Sequence, residues 1–460
     1  MNTKSVVDVR AFIDGRGMSS RQWLTLALCF LVVAADGMDV AIMGFLAPSI
    51  LQEWGISKAA FGLVMSAAPI GLVVGALTAG PASDRVGRKK VLVVSVLVFA
   101  IFTLLAARAQ DLTELVALRF LTGIGLGAAM PNTTTLLTEY VPARSRSLMV
   151  TLTFTGFNLG SALVGFVAAG MIPQWGWRSV LAIGGALPLM LVPLLMAWLP
   201  ESCRFMAVRG VAGERIAATL GRVCGARFPA DAEFVSKEPP VTARTPVRLL
   251  FSEGYARLTL SLWVTYFMGL LVIYLLTGWL PTLFKEQGLS ISQAAMVTAM
   301  FQIGGTAGGV VVGWLMDRVG ATRVIALAYA GGALSVLLLA AMGAGVNGLA
   351  LLSALVGFCM SGAQTGLNAH APSCYPTMAR ATGVSWMLGV GRFGSILGSM
   401  VGGVLLGLGW SFAGILALLA LPALVAAIAI TRGRSDVGVP APDPSLSPSP
   451  VPESPQAVKP

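Results

Sequence analysis

Charged residues are scarce in this chain of 460 residues: Asp, Glu, Lys and Arg make up 11% of it, whereas hydrophobic residues make up 56%. Soluble domains carry roughly 25% charged residues, so this chain has too little charge to cover a water-exposed surface. That shortage excludes a soluble enzyme, a disordered chain and a nucleic-acid-binding module. A polytopic membrane protein remains. The 54 glycines agree with it, because transmembrane helices pack through small residues.

Cysteine and histidine are also rare, with five residues and one residue respectively. The cysteines form no Cys-x-x-Cys pair and no metal-ligand spacing, so we expect no disulfide framework, no metal site and no cofactor. The absence of a nucleophile–base spacing argues against an enzyme. We also expect no cleavable signal, because the first apolar stretch follows a polar lead of 20 residues and is too long for a signal-peptide core.

The apolar residues fall into runs of membrane-spanning length, about 20 residues. Twelve such runs lie at residues 23–49, 59–81, 91–108, 112–137, 148–172, 179–199, 257–283, 293–315, 323–342, 347–371, 381–407 and 410–431. We therefore predict an all-α membrane protein with twelve transmembrane helices. The expected parts are an N-terminal segment (1–22), a six-helix bundle (23–199), an inter-bundle loop (200–256), a second six-helix bundle (257–431) and a Pro- and Ser-rich tail (432–460) that should be disordered.

Basic residues are distributed unequally between the two sides of the predicted membrane. The side with both termini and the inter-bundle loop carries 25 of the 31 Lys and Arg residues, the opposite side carries four, and Arg119 and Arg392 fall within spans. Basic residues accumulate in cytoplasmic loops. We therefore expect both termini to be cytoplasmic.

The two halves of the sequence repeat each other. "PSILQEWGIS" (48–57) aligns with "PTLFKEQGLS" (281–290), and the same offset of 233 residues aligns "IGLVVGALTAGPASDRVG" (70–87) with "IGGTAGGVVVGWLMDRVG" (303–320). An offset of 234 pairs Gly160 with Gly394. Two repeats with the same orientation in the membrane imply that the two six-helix units are related by a rotation axis along the membrane normal. They also imply a central cavity that opens alternately to each side.

Several motifs resemble those of a known family. "GPASDRVGRKK" (80–90), "RFLTGIGLGAAMPN" (119–132) and "LPESCRF" (199–205) are similar to the major facilitator superfamily. The first span, "DGMDVAIMGFLAPSI" (36–50), together with "RATGVSWMLGVGRFGSILG" (380–398), resembles the aromatic acid/proton symporters, most closely the 4-hydroxybenzoate transporters. The resemblance implies proton-coupled import of an aromatic carboxylate such as 4-hydroxybenzoate or protocatechuate. The expected partners are the acid, protons and the lipid bilayer, and we expect a monomer.

Asp36 and Asp39 are the expected proton-coupling residues. They are three residues apart and share a helix face, and a carboxylate within the bilayer marks a functional site. Burial and a like-charged neighbour both favour the protonated form of a carboxyl group. The repeat partners are Gly269 and Val272, so the fold itself does not require acids there. The resemblance agrees, since both first-span carboxylates are required in that family.

Two arginines within spans are candidate anchors for a substrate carboxylate. Arg119 lies at a depth similar to that of Asp39, which permits either an ion pair or competition between Asp39 and the substrate for the guanidinium group. Arg392 lies near the midplane. Aromatic and amide side chains of the second half could line an apolar slot for a ring. The predicted substrate-binding residues are Arg119, Arg392, Tyr266, Tyr274, Gln302, Gln364, Asn368 and Trp386.

The motif residues at the cytoplasmic ends of the spans are candidate gate residues. In the superfamily such residues latch the two halves in the outward-open state. They are Asp84, Arg85, Arg88, Glu139, Asp317 and Arg318. Other functions stay open: import of another organic acid (benzoate, gentisate or muconate), a drug/proton antiporter, or a sensor that binds the acid without moving it. Ser161, where the antiporters have proline, counts against the antiporter.

Overall fold

The computed structural model describes residues 6–226, 228–229, 232–235, 250–251, 255–341, 345–375 and 377–433. The predicted disordered tail and the central part of the inter-bundle loop lie almost wholly outside these residues. Two short strands are present, β1 (Val6–Asp8) and β2 (Glu233–Val235). The helices are α1 (Val9–Asp14), α2 (Ser20–Trp54), α3 (Lys58–Val86), α4 (Arg88–Ala106), α5 (Leu112–Tyr140), α6 (Arg146–Trp198), α7 (Cys203–Val208), α8 (Gly213–Cys224), α9 (Tyr255–Glu286), α10 (Ile291–Val319), α11 (Ala321–Ala341), α12 (Val346–His370), α13 (Thr377–Gly407) and α14 (Phe412–Arg432).

Eleven of the described helices are long and apolar enough to cross a membrane. One of them, α6, has 53 residues and would be about 80 Å long as a single helix, against a hydrocarbon core of about 30 Å. The backbone at Gly176 is not helical (φ 72°, ψ 171°), a conformation that glycine adopts without steric cost. The break divides α6 into the fifth and sixth spans, so the predicted all-α fold with twelve spans is confirmed.

The spans pack as two bundles with the same internal pattern. In the first bundle α2 packs on α6 and α3 on α5, and in the second α9 packs on α13 and α10 on α12. The bundles meet where α6 contacts α10 and where α3 contacts α13. Each contact joins the fifth span of one bundle to the second span of the other. That exchange is the pattern that a two-fold axis between the bundles produces.

Two repeat-related glycines allow equivalent helices to approach closely. A Cβ atom at Gly160 would overlap the carbonyl oxygen of Ala34, and one at Gly394 would overlap the carbonyl oxygen of Phe267. The first and fifth spans of each bundle therefore pack backbone against backbone. The aligned glycines of the sequence repeat therefore have the same role in both halves: each allows two helices to pack closely.

The membrane face at which α2 begins and α14 ends is called here the terminal face, and it carries a small folded layer. Strand β1 pairs in parallel with β2, with Val7 opposite Phe234. Helix α8 buries Ile216, Leu220 and Val223 in the first-bundle core. The sequence predicts only an N-terminal segment and a loop at these positions, because such short, amphipathic elements lack the long apolar run that marks a membrane span. The layer ties the N-terminal segment to the inter-bundle loop.

The bundles are joined at the face opposite the terminal face. Lys58 at the start of α3 forms an ion pair with Glu286 at the end of α9. Phe61 packs edge-on against Trp279, with ring centroids 6.2 Å apart. Toward the terminal face, by contrast, Pro131 of α5 and Asn368 of α12 are exposed. The central cavity therefore opens toward the terminal face.

Candidate functional site

Asp39 and Arg119 form a buried two-point ion pair inside the first bundle. Nη1 of Arg119 donates to Oδ1 of Asp39 at 3.1 Å, and Nη2 donates to Oδ2 at 2.8 Å. Thr103 of α4 donates its hydroxyl proton to Oδ1 at 2.7 Å. Both charged side chains are at most 1% exposed. Such a forked, charge-assisted geometry is the strongest that the two groups can make, so both terminal nitrogens of Arg119 are committed to Asp39.

Asp36 lies one turn before Asp39 on α2 and differs from it in its contacts. Its side chain is 1% exposed, yet its Oδ1 atom has no hydrogen-bond partner. Its charged neighbours are Arg392, from the second bundle, and Asp39. The two first-span acids are therefore not equivalent: Asp39 is paired within its own bundle, whereas the charged groups near Asp36 are Asp39 and Arg392 of the second bundle.

Arg392 projects from the middle of α13 toward two tyrosines. Tyr274 lies within hydrogen-bonding reach of its guanidinium group, and Tyr266 lies close by. A Cβ atom at the neighbouring Gly391 would overlap the Tyr266 ring, so the ring packs directly on the α13 backbone. Within the described part of the chain, no salt bridge ties Arg392 to an acid. Its guanidinium group is therefore available to a carboxylate.

A second polar group lies beside Tyr266, between α9, α11 and α12. The hydroxyl of Tyr329 donates to Oε1 of Gln364 at 2.7 Å. The Tyr266 hydroxyl lies next to the side chains of Gln364 and Asn368. The pair of Tyr329 and Gln364 fills the space that a Cβ atom at Gly269 would occupy. Gly269 is the repeat partner of Asp36, so the second bundle places a neutral hydrogen-bonding pair where the first places an acid.

Apolar side chains border these polar groups. A small cavity is lined by Met43, Met65, Leu72, Arg119 and Tyr274, among others. Thr277 also lines it and accepts a hydrogen bond at 3.3 Å from the predicted site residue Gln302. A planar, partly apolar ligand with a few polar groups suits such a lining.

Trp386, also predicted to bind substrate, lies apart from this group. Its ring stacks on Trp263, with centroids 5.9 Å apart and an interplanar angle of 18°. It is six residues before Arg392, which places it about 120° away around the helix. It shares its face with Phe393, which is 63% exposed. Trp386 therefore projects from a different side of α13 than Arg392, and its side chain is 46% exposed.

The predicted gate residues lie at the terminal face, each within its own bundle. Arg88 pairs with Asp84 at 3.0 Å and approaches Glu139 at 3.9 Å. The two Glu139 carboxylate oxygens are buried without a hydrogen bond. Arg85, Asp317 and Arg318 are exposed, and Arg318 packs over the Trp314 ring at 4.0 Å. In this conformation, the first-bundle and second-bundle gate groups are separate.

Sequence reasoning missed several of these partners. Thr103, Tyr329 and Thr277 are polar residues inside spans, a signal that could have marked them. Glu201, within the quoted "LPESCRF" motif, accepts a hydrogen bond from the Lys89 amide at 3.1 Å and so joins the gate region. Among the described residues, no cluster of three or more His, Cys, Asp or Glu side chains suits a metal ion.

Comparisons with known proteins agree with this architecture. The model of the Major Facilitator Superfamily matches residues 29–290 and 262–456. The gallate transporter of Pseudomonas putida is 57% identical over 92% of this chain and 94% of its own. The 4-hydroxybenzoate transporter PcaK of Pseudomonas aeruginosa is 50% identical over 92% of this chain and 95% of its own.

A solved structure shows the same fold. The inward-open conformation of the xylose transporter XylE from Escherichia coli superposes with a TM-score of 0.71 at 17% identity, over 88% of this chain and 95% of its own. The two relatives and this structure are named as transporters. From the match over nearly the whole sequence, the repeated six-helix bundles and the central cavity, we conclude that the chain belongs to the major facilitator superfamily and is a membrane transporter, not an enzyme.

Proposed function

We propose that this protein is a proton-coupled importer of aromatic carboxylates such as 4-hydroxybenzoate or protocatechuate, working by alternating access in a bacterial inner membrane. The observation that carries the proposal is the Arg392 guanidinium group, which has the buried Asp36 as a charged neighbour and no salt bridge to an acid among the described residues. The relatives named for gallate and 4-hydroxybenzoate transport support the same substrate class.

The basic-residue distribution assigns the terminal face to the cytoplasm, because 25 of the 31 Lys and Arg residues are on that side. The cavity that opens toward the terminal face is then an inward-open cavity. Release of substrate into the cytoplasm is the step that this conformation serves.

Arg392 is the proposed anchor of the substrate carboxylate. Arginine binds a carboxylate at two points and keeps its charge, and Tyr274 and Tyr266 supply rings and hydroxyl groups beside it. Arg119, the other predicted anchor, is occupied by Asp39, so a direct contact with substrate would require that ion pair to open. We therefore place the competition between an acid and the substrate at Arg392 and Asp36.

Proton coupling follows from that competition. An ionised Asp36 would be drawn to Arg392 and would exclude the substrate anion. A protonated Asp36 leaves Arg392 free, and a neutral carboxyl group is also much less costly to bury than an unpaired anion. Substrate and proton would thus bind together and leave together. Asp39 remains paired with Arg119 and keeps α2 in place.

Membrane electrostatics require a coupled cation. An aromatic carboxylic acid ionises near the pKa of a Glu side chain, about 4.3, so it is an anion at neutral pH. Moving one negative charge into a negative cytoplasm costs about 2.3 kcal/mol per 100 mV. One proton cancels this charge, and the pH gradient then drives accumulation.

During alternating access, contacts between the bundles would break at one membrane face and form at the other. The Lys58–Glu286 ion pair and the Phe61–Trp279 contact close the periplasmic side in this conformation. In the outward-open state these contacts would break, and the gate residues around Asp84 and Arg88 would meet the second bundle near Asp317 and Arg318.

Purified protein in proteoliposomes tests the proposal. An acid-outside pH step should drive accumulation of radiolabelled 4-hydroxybenzoate without a sodium gradient, and a protonophore should abolish it. Competition by benzoate, gentisate and muconate in the same assay ranks the alternative acids. Accumulation that needs sodium, or that is unaffected by the pH step, would contradict proton symport.

A further inference from the structure

Gln364 is a buried amide whose hydrogen bonds are only partly satisfied. The side chain is 6% exposed. Its Oε1 accepts the hydroxyl proton of Tyr329 at 2.7 Å, which fixes the orientation of the amide. Its Nε2 is buried beside the Tyr266 hydroxyl and makes no hydrogen bond of good geometry with any described residue. Leaving a buried donor unpaired is costly, so this nitrogen is a group that a ligand would satisfy.

The surroundings of that nitrogen are neutral and polar. Asn368, one helical turn further along α12, is exposed to the cavity, and the Tyr266 hydroxyl lies next to both amides. Hydroxyl and amide groups both donate and accept hydrogen bonds. None of the three side chains carries a charge to pair with a second carboxylate. A neutral hydroxyl group is therefore the ligand group that this cluster fits.

Tyr266 connects the cluster to the carboxylate anchor. Its ring packs on the backbone at Gly391, next to Arg392, and its hydroxyl lies beside Gln364. A ligand that binds Arg392 through its carboxylate would therefore extend along Tyr266 and present the far edge of its ring to Gln364 and Asn368. The absence of a side chain at Gly269 makes room for this arrangement, because the pair of Tyr329 and Gln364 fills that space.

We propose that Gln364, positioned by Tyr329 and assisted by Asn368 and Tyr266, binds a ring hydroxyl of the substrate and makes this transporter selective for hydroxylated aromatic monocarboxylates over benzoate and over dicarboxylates. The inference rests on the proposed function for its carboxylate anchor, Arg392. It adds the residues that recognise the ring hydroxyl group. A site built to bind a hydroxyl rejects the analogue that lacks it, because its own polar groups are then left unpaired.

Equilibrium binding to the purified protein tests the inference independently of transport. Affinities for benzoate, 4-hydroxybenzoate and 3,4,5-trihydroxybenzoate are measured by calorimetry for wild type, Gln364→Met and Tyr329→Phe. Wild type should bind the hydroxylated acids about tenfold or more tighter than benzoate, and Gln364→Met should lower that ratio by about tenfold while benzoate affinity changes little. Tyr329→Phe should lower it less, because the amide loses its fixed orientation but keeps its donor.

Two further variants provide a second test of the hydroxyl site and a control. Asn368→Ala alters an exposed side chain and should also reduce the preference for hydroxylated acids. Ser335→Ala, on α11 with a hydroxyl bonded only to the Gly332 carbonyl, is the matched control and should leave all affinities unchanged.

The outcomes separate the inference from the proposed function. Equal wild-type affinity for benzoate and 4-hydroxybenzoate, or an equal loss of both in Gln364→Met and Asn368→Ala, would overturn the inference and leave the transport proposal standing. Discrimination in binding without pH-driven uptake would support the inference and refute proton coupling. If wild type binds none of the acids, both are refuted.

Discussion

Asp39 of the first span and Arg119 of the fourth share two parallel hydrogen bonds, of 3.1 and 2.8 Å, in a site that excludes water. A buried pair of this kind contributes little over an apolar pair, but removing one partner leaves an unpaired charge and costs about 3–5 kcal/mol. The pair therefore acts first on the stability of the first bundle and on the position of α2. We propose Asp36, one turn away, as the group that binds the proton.

Arg119→Lys should lose most transport activity and lower the thermal unfolding temperature, because an ammonium group cannot make the two-point contact. The measurement is uptake together with thermal unfolding in detergent. The double variant Asp39→Asn with Arg119→Gln should be less destabilised than the sum of its two single variants, since it leaves no unpaired charge. If the Lys variant supports uptake as well as wild type, the positive charge alone is sufficient for transport and the two-point contact of the guanidinium group is not needed.

Asp36→Asn should abolish accumulation against a gradient but retain exchange of labelled for unlabelled acid. Asparagine resembles the protonated acid in shape and leaves Arg392 free for substrate, so binding persists while the proton can no longer be released. Proteoliposomes with and without a pH step separate the two activities. Asp39→Asn is the comparison, and should lose stability as well as both activities. Wild-type accumulation by Asp36→Asn would exclude Asp36 from coupling.

Glu286→Gln should shift the protein toward the state that is open at the periplasmic face, because the substitution removes the partner of Lys58. Labelling of a Ser399→Cys reporter by an impermeant maleimide measures this opening, since Ser399 lines the cavity. A partly exposed ion pair contributes roughly 0.2–1 kcal/mol, so labelling should rise by about 1.4-fold to fivefold.

Glu53→Gln is the matched control for the Glu286 variant. Glu53 is the repeat partner of Glu286 and lies at the same face. It bonds within its own bundle, to Arg178 at 2.6 Å and Trp177 at 2.7 Å. Its loss should leave labelling of the reporter unchanged. An equal rise in both variants would show that the effect is general destabilisation of that face.

Cys203 should resist alkylation in the folded protein. Burial raises the pKa of this thiol, in the terminal-face layer, to about 12, so at pH 8 only about one molecule in 10,000 carries the reactive thiolate. Reactivity should rise with pH toward that value. Peptide mass spectrometry after iodoacetamide treatment should find the partly exposed Cys224 labelled first, and both cysteines labelled after denaturation. Equal rates in the folded state would contradict the burial of Cys203.

The sequence by itself determined the membrane class, the twelve spans and the internal repeat. Each of these depends on local composition or on regular spacing, which are visible without the fold. It also identified Asp36, Asp39, Arg119 and Arg392 as candidate site residues. A charged residue within an apolar run can be recognised without knowing which residue it pairs with. The short elements β1, β2, α7 and α8 were missed because they carry no comparable local signal.

Only the tertiary structure decided which of these residues contact each other. Arg119 pairs with Asp39, Arg392 is a charged neighbour of Asp36, Gln364 keeps a buried nitrogen without a hydrogen bond of good geometry, and Trp386 projects from a different side of α13 than Arg392. Lys58 and Glu286 meet although they are far apart in the sequence. Such partnerships depend on the depth and rotation of each helix within the bundle. Depth and rotation are set by the packing of all twelve spans together, for example by the close approach at Gly160 and Gly394, and no single span encodes them.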